Sequence, residues 1–263
     1  MDINNIVTEN FIDLLHDDVI NPLISNPEGD FIQNEEILER LDLKINRLKK
    51  ICYLAGVASV ASLASPLYPL LVSGSGTITY YTAESLARVE RLYLITSMLL
   101  ERFGSEGITI TAGVKTNNYL IDLFVKMPDK RPFALLLRNY ANGAVRWRED
   151  KQDFFVYKTG KKARSWDAMT RTTEKLKSIL DLKDLKSPLL GTSRTDRNRT
   201  IIKAVVLCGK TTVYPGHAAE FMTKIGQAEV LAVYKESLVY VVEQEKLIDF
   251  LLPPQKLVVS RTK

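Results

Sequence analysis

The sequence predicts an α/β fold, a mixed sheet flanked by helices, with an N-terminal helical region before it; the division expected is 1–76 helical and 77–263 α/β. Two observations carry this. Up to Phe103 apolar residues recur at the helical spacing, and after Gly104 they alternate at the two-residue spacing of strands. The strand-like segments are then interrupted by a helix-like one near 165–182, an order that gives a sheet layered with helices. The composition agrees: 263 residues, 46% hydrophobic and 25% charged, are globular proportions and exclude disordered or collagen-like classes.

The first element is an amphipathic helix over 3–20, with Ile6, Phe11, Leu14, Leu15, Val19 and Ile20 on one side. Its acidic start lacks the basic and apolar blocks of a secretory signal, so a cytoplasmic location is expected. Asn21-Pro22 and Asn26-Pro27 interrupt the chain, and a second helix begins near Asn34, where Glu35 and Glu36 favour a helix start. Leu38, Leu41, Ile45 and Leu48 form its apolar stripe.

Residues 51–83 then run for 33 positions without a charge. This segment is open to two readings. Residues 51–73 are long enough to cross ~30 Å of hydrocarbon, with Lys44, Arg47, Lys49 and Lys50 on the cytoplasmic side, which would make the protein membrane-associated. Ser59, Ser62, Ser65, Pro66 and Pro69 favour instead a buried helical hairpin. Gly74-Ser75-Gly76 reads as a turn or linker before a third helix, whose apolar side is Leu86, Val89, Leu92, Tyr93, Leu99 and Phe103.

Strands are expected at 108–114, 119–127, 133–139, 144–149 and 153–158, with Asp129-Lys130 and Asn142-Gly143 as turns, the second a hairpin signal. After the basic helix at 165–182 and a polar connection over 183–200, residues 201–209 form a strand covered on both faces. A short helix over 217–226, strands at 229–235 and 238–244 and a closing helix at KLIDFLL complete the chain.

Charge is distributed unevenly. Residues 1–50 carry 5 Lys/Arg against 11 Asp/Glu, whereas 107–200 carry 20 against 10, a net of +10. So basic a block points to an anionic partner, nucleic acid before a membrane surface, or to a solvated face. The acidic N-terminal helices are a candidate docking surface for a protein partner. Two cysteines, Cys52 and Cys208, and two histidines, His16 and His217, exclude a disulfide framework and a His-rich metal centre.

Asp122 is a lone carboxylate inside the apolar strand YLIDLFV, and the next strand reads FALLLRNY, with Leu136 and Arg138 near its end. Over residues 80–245 this order resembles the restriction-endonuclease-like fold, the PD-(D/E)xK superfamily, and is most similar to nuclease-related NERD-type domains. The resemblance implies a metal-binding Asp at Asp122 and a carboxylate-x-lysine pair at the positions of Leu136 and Arg138. A magnesium-type ion needs hard oxygen ligands, which Leu136 lacks, and Arg138 keeps its proton and cannot serve as a base. The implied activity is therefore that of a pseudo-nuclease, which binds nucleic acid, DNA ahead of RNA, without efficient hydrolysis and without a cofactor.

Two alternatives stand beside it. An active phosphodiesterase would hold Mg or Mn at Asp122 with relocated ligands from Glu84, Glu90, Glu101, Glu149 or Asp150, and Lys126 as the missing lysine. A non-catalytic assembly protein would use 51–73 as an anchor or oligomerisation segment. A plain strand carboxylate, paired with Arg138 or Lys115, also accounts for Asp122.

Binding residues are expected among Arg146, Arg148, Lys158, Lys161, Lys162 and Arg164, interleaved with Tyr140, Trp147, Phe155, Tyr157 and Trp166. Strand alternation sets Arg146 and Arg148 on one face and Trp147 on the other, so Trp147 reads as core. AVVLCGKT (204–211) imitates a phosphate-binding loop, but Ala204 replaces the first glycine and the cradle is apolar, so a strand is expected there. His217 reads as a cap or surface residue and Cys208 as a small buried one.

Overall fold

The computed structural model describes residues 33–62, 68–115, 120–141, 143–151, 153–157, 164–165, 194–197, 199–214, 221–234 and 238–253. The helices expected at 3–20 and 165–182, and His217, lie outside these. The chain divides into two compact units, Met1–Glu101 with Ile110–Gly113, and Arg102–Thr109 with Val114–Lys263.

The first unit is built on two long helices, α1 (Glu35–Ser62) and α2 (Tyr68–Phe103). Ile37, Leu41, Ile45 and Leu48 on α1 are buried, as are Val89, Leu92, Ile95 and Leu99 on α2, each set at the spacing that puts side chains on one helical face. Asn34 precedes α1 as the sequence implies, but with a left-handed φ of 51°. Its side-chain oxygen accepts the Ile110 amide at 2.9 Å, and Gln33 bridges to Thr111. This ties the helix start to β1 (Thr109–Lys115).

One expectation is corrected here. Gly74–Gly76 is not a turn or linker but lies inside α2. Glycine lowers helix stability by about 1 kcal/mol per residue, which the rest of a 36-residue helix overrides. The uncharged run at 51–83 is shared between α1 and α2, and among the described residues no helix is long and apolar enough to cross a membrane.

The second unit is α/β. Its main sheet runs β2 (Leu120–Lys126), β3 (Pro132–Arg138), β7 (Ile202–Leu207), β11 (Leu238–Glu243), β10 (Ala228–Tyr234), β9 (Met222–Ile225). The sheet is mixed: β3, β7 and β11 are parallel, while β2, β10 and β9 are antiparallel to their neighbours. Phe133–Leu136 and Ala204–Cys208 are fully buried, consistent with strands covered on both faces. The short helix α4 (Leu247–Leu251) lays Phe250 against Phe133 and Tyr240, ring centroids 5.7 Å apart in each case.

A second sheet has the order β6 (Arg164–Ser165), β5 (Asp153–Tyr157), β4 (Ala144–Arg148), β8 (Thr212–Val213). A single turn of helix, α3 (Arg194–Arg197), precedes β7. The Asp129-Lys130 turn joins β2 to β3 as expected, closed by the Lys130 amide donating to Met127 O at 2.8 Å. The Asn142-Gly143 hairpin is corrected: β3 pairs with β2 and β7, β4 with β5 and β8, so this segment carries the chain from one sheet to the other. Gly143 permits the passage because a Cβ there would strike the Val156 side chain and lie 3.0 Å from Tyr140 O.

Residues 222–225, expected in a helix, form β9 instead. Ile225 pairs with Ala228 across the two residues Gly226-Gln227. Gly226 takes φ +61°, and a positive φ at the first loop position is what tight hairpins require.

Candidate functional site

The strand pair β2–β3 sets the first site. Leu123 faces Leu135 and Lys126 faces Pro132; one step back in the same register, Asp122 faces Leu136. Alternation along β3 puts Arg138 on this same sheet face. Asp122 Oδ2 accepts two hydrogen bonds, from the Leu137 amide at 2.8 Å and from Arg138 Nη1 at 3.0 Å. The same Nη1 donates to Leu137 O at 2.8 Å. Asp122 is 1% exposed, so its charge is met by protein groups, these two donors among them.

This donor set does not fit a magnesium- or manganese-type ion. A guanidinium occupies the approach to Oδ2, and the facing side chain, Leu136, is aliphatic and fully buried. Among the described residues no group of three or more His, Cys, Asp or Glu comes together that could hold a metal ion.

Of the other residues named for catalysis, Lys126, Glu149 and Asp150 lie elsewhere in the second unit. Lys126 stands four residues further along β2, about 14 Å away. Glu149 and Asp150 are exposed in the turn after β4, and Asp150 is held by Arg148 at 3.0 Å. Glu84, Glu90 and Glu101 are exposed or half-exposed on α2, in the first unit, and Glu90 pairs with Lys49 at 3.2 Å. Sequence reasoning passed over Lys203. It is buried at the β7 position facing Ala134, and alternation puts it on the Asp122 face of the sheet.

At the carboxyl ends of β3 and β7 a polar knot turns the chain towards the second sheet. Ala204–Leu207 is strand, as expected, and Gly209-Lys210-Thr211 is the turn that follows rather than a phosphate cradle. The Cys208 amide donates to Arg138 O at 2.7 Å, the Tyr140 amide to Thr211 Oγ1 at 2.8 Å, and the Gly209 amide to Gln244 Oε1 at 3.2 Å. Gly209 has φ +65°, and a Cβ on it would come 3.1 Å from Asn139 Nδ2. Burial raises the pKa of the Tyr140 phenol well above its ordinary range, against the opposing pull of Arg138. Cys208 is fully buried and not in a disulfide, its thiol directed to Val206 O at 3.6 Å.

The second sheet presents two different faces. Trp147 packs edge-on against Phe154 with centroids 4.9 Å apart, and both are buried with Val145 and Val156. Arg146 and Arg148 take the opposite face. Arg148 lies 5.1 Å over the Phe155 ring and pairs with Asp150, whose hydrogen bond holds the guanidinium's pKa above its ordinary value. Arg146 lies 5.2 Å over Tyr214, and Tyr214 and Tyr157 are neighbours at 5.2 Å between centroids. Arg146, Tyr157 and Tyr214 are all half-exposed.

Of the remaining residues expected to bind, Lys158, Lys161 and Lys162 lie outside the described residues, and Arg164 is described by its backbone alone, in register with Val156 on β6. Tyr214 was not foreseen at all, because only the parallel pairing of β8 with β4 brings it beside Arg146. Comparisons of the chain with protein-family models, with curated proteins and with solved structures find no match.

Proposed function

We propose that the second unit is a nucleic-acid-binding module of restriction-endonuclease-like design whose hydrolytic seat is filled by an internal ion pair. The observation that carries this reading is Asp122 bonded at one oxygen by both Arg138 and the Leu137 amide, opposite Leu136. The strand order supports the same design: an Asp-bearing strand antiparallel to the strand with the Leu-x-Arg pair, and β7 parallel beyond it. Hydrolysis of a phosphodiester by such a site needs an ion to activate water and neutralise charge at phosphorus, and the cation on Asp122 is a guanidinium instead.

Binding draws on the net +10 of residues 107–200. Cations that neutralise phosphates release counterions, so affinity falls steeply with salt. Fluorescence anisotropy of the full chain with a labelled 20-nucleotide DNA or RNA, at 50 to 200 mM salt, tests this. The expected result is saturable binding with a negative log–log salt slope, and no cleavage with Mg or Mn. Indifference to both polyanions would overturn it, and Mn-stimulated cleavage abolished by Asp122→Ala would establish an active nuclease instead.

A further inference from the structure

We propose that Arg146, Tyr157 and Tyr214 form a platform on which the bases of single-stranded nucleic acid stack, so that the module selects unpaired strands over duplex. The proposal rests on the nucleic-acid reading above and names its substrate class.

The antiparallel register of β4 and β5 pairs Ala144 with Tyr157 and Arg146 with Phe155, so these four share one sheet face. The parallel pairing of β4 with β8, extended by the Tyr214 amide donating to Val145 O at 2.8 Å, adds Tyr214 to it. The second sheet has its own apolar cluster on the other side, where Val145, Trp147, Phe154 and Val156 are buried. Tyr157 and Tyr214 are therefore not needed to fill that layer, yet they stand side by side with a 33° tilt and remain half-exposed.

The charges on this face divide the work. Arg148 is neutralised by Asp150 and covers Phe155, which is only 5% exposed. Arg146 has no carboxylate partner among the described residues and lies over Tyr214. A cation beside two adjacent phenol rings suits a chain that alternates phosphate with flat bases, since rings stack on bases while the guanidinium meets phosphate or stacks itself. In a duplex the base faces are hidden against each other, so only an unpaired strand can use the rings.

The test is anisotropy of the full chain with labelled dT20 and with a 20-bp duplex at one salt concentration. Tyr157→Leu with Tyr214→Leu is expected to weaken dT20 binding by about 10-fold or more, from about 5- to 150-fold per stacked base, and to leave duplex binding unchanged. Arg146→Gln is expected to lower the dT20 salt slope by about 0.7. Tyr214→Trp supplies a readout that does not depend on a damaging variant: its added fluorescence should be quenched by dT20 beyond the quench of the native chain.

Unchanged dT20 affinity in the double variant, no added quench in Tyr214→Trp, or equal losses for dT20 and duplex would overturn the platform while leaving nucleic-acid binding intact. Polyglutamate competing as well as dT20 would also overturn it, because charge alone would then be read. A native chain that binds neither dT20 nor duplex would fail the underlying reading itself.

Discussion

Arg138 Nη1 donates to Asp122 Oδ2 at 3.0 Å, and the Leu137 amide donates to that same oxygen at 2.8 Å. The arginine is 18% exposed in its side chain and the aspartate 1%, so one end of the pair reaches solvent and the other does not. Removing the arginine takes away the guanidinium that meets a buried carboxylate; removing both takes away that carboxylate's charge as well. Arg138→Met should therefore destabilise the chain by about 3–5 kcal/mol, and Asp122→Leu combined with it should recover most of the loss. Urea unfolding of the two single variants and the double closes this cycle. A double variant as unstable as Arg138→Met alone would contradict the pairing as the reason.

The same geometry predicts indifference to divalent ions. A ligand that binds the folded state raises the unfolding midpoint in proportion to RT ln(1 + [L]/Kd). With Oδ2 engaged by a guanidinium and aliphatic Leu136 opposite, Asp122 offers no such gain. Thermal unfolding with 5 mM Mn, 5 mM Mg or excess EDTA is expected to give one midpoint to within about 1 °C, equivalent to a few tenths of a kcal/mol. A rise with Mn that disappears in Asp122→Asn would show an ion displacing Arg138.

Tyr140 makes stability fall at alkaline pH. Its phenol is buried, and burial raises its pKa above the ordinary value of 10.0; Tyr240 shifts in the same direction for the same reason. Above pH 10 the unfolded chain loses the Tyr140 proton while the folded chain keeps it, so the folded state binds more protons and stability declines as pH rises. The loss is absent below the unfolded pKa and approaches about 1.4 kcal/mol per pH unit above it. Urea midpoints at pH 8, 10 and 11 should fall less in Tyr140→Phe than in the native chain; equal slopes would remove Tyr140 from the account.

Much of the sheet was legible because the signals are local. Thr109–Lys115, Leu120–Lys126, Pro132–Arg138 and Ile202–Leu207 lie within two residues of the expected strands, since alternation and apolar runs are carried by the segments themselves. Asp122 was legible in one of its readings for an equally simple reason: a carboxylate inside an apolar strand needs a cation, and Arg138 lies on the neighbouring strand. Trp147 was assigned to the core from alternation alone, and it is 5% exposed.

What failed was the meaning of glycine and of distant pairing. Gly74–Gly76 reads as a turn in isolation, yet the helix continues through it. Asn142-Gly143 reads as a hairpin, but the partners of β3 and β4 are chosen by β7 and β8, which come much later in the chain. For the same reason Tyr214, Thr211 and Gln244 carried no signal: each acquires its role only when the distant strands are assembled.

Gly226 illustrates how one such position can be tested. Its φ of +61° starts the tight turn between β9 and β10, and an added Cβ would lie 2.6 Å from Leu252 O and 2.8 Å from Phe250 O. Those carbonyls belong to the end of α4, which the Gln227 amide also reaches, donating to Asp249 O at 2.8 Å. Neither a rotamer change nor a flexible side-chain tip can relieve a clash with backbone. Gly226→Ala therefore carries the left-handed backbone cost of about 1–3 kcal/mol and, in addition, displaces α4 from the sheet. Because Phe250 on α4 packs on Phe133 and Tyr240, hydrogen exchange should quicken in residues 247–251 and in the β9–β10 turn together. An alanine variant that unfolds at the native urea midpoint, with native exchange in α4, would mean that the turn tolerates a side chain and that the helix is not held by this contact.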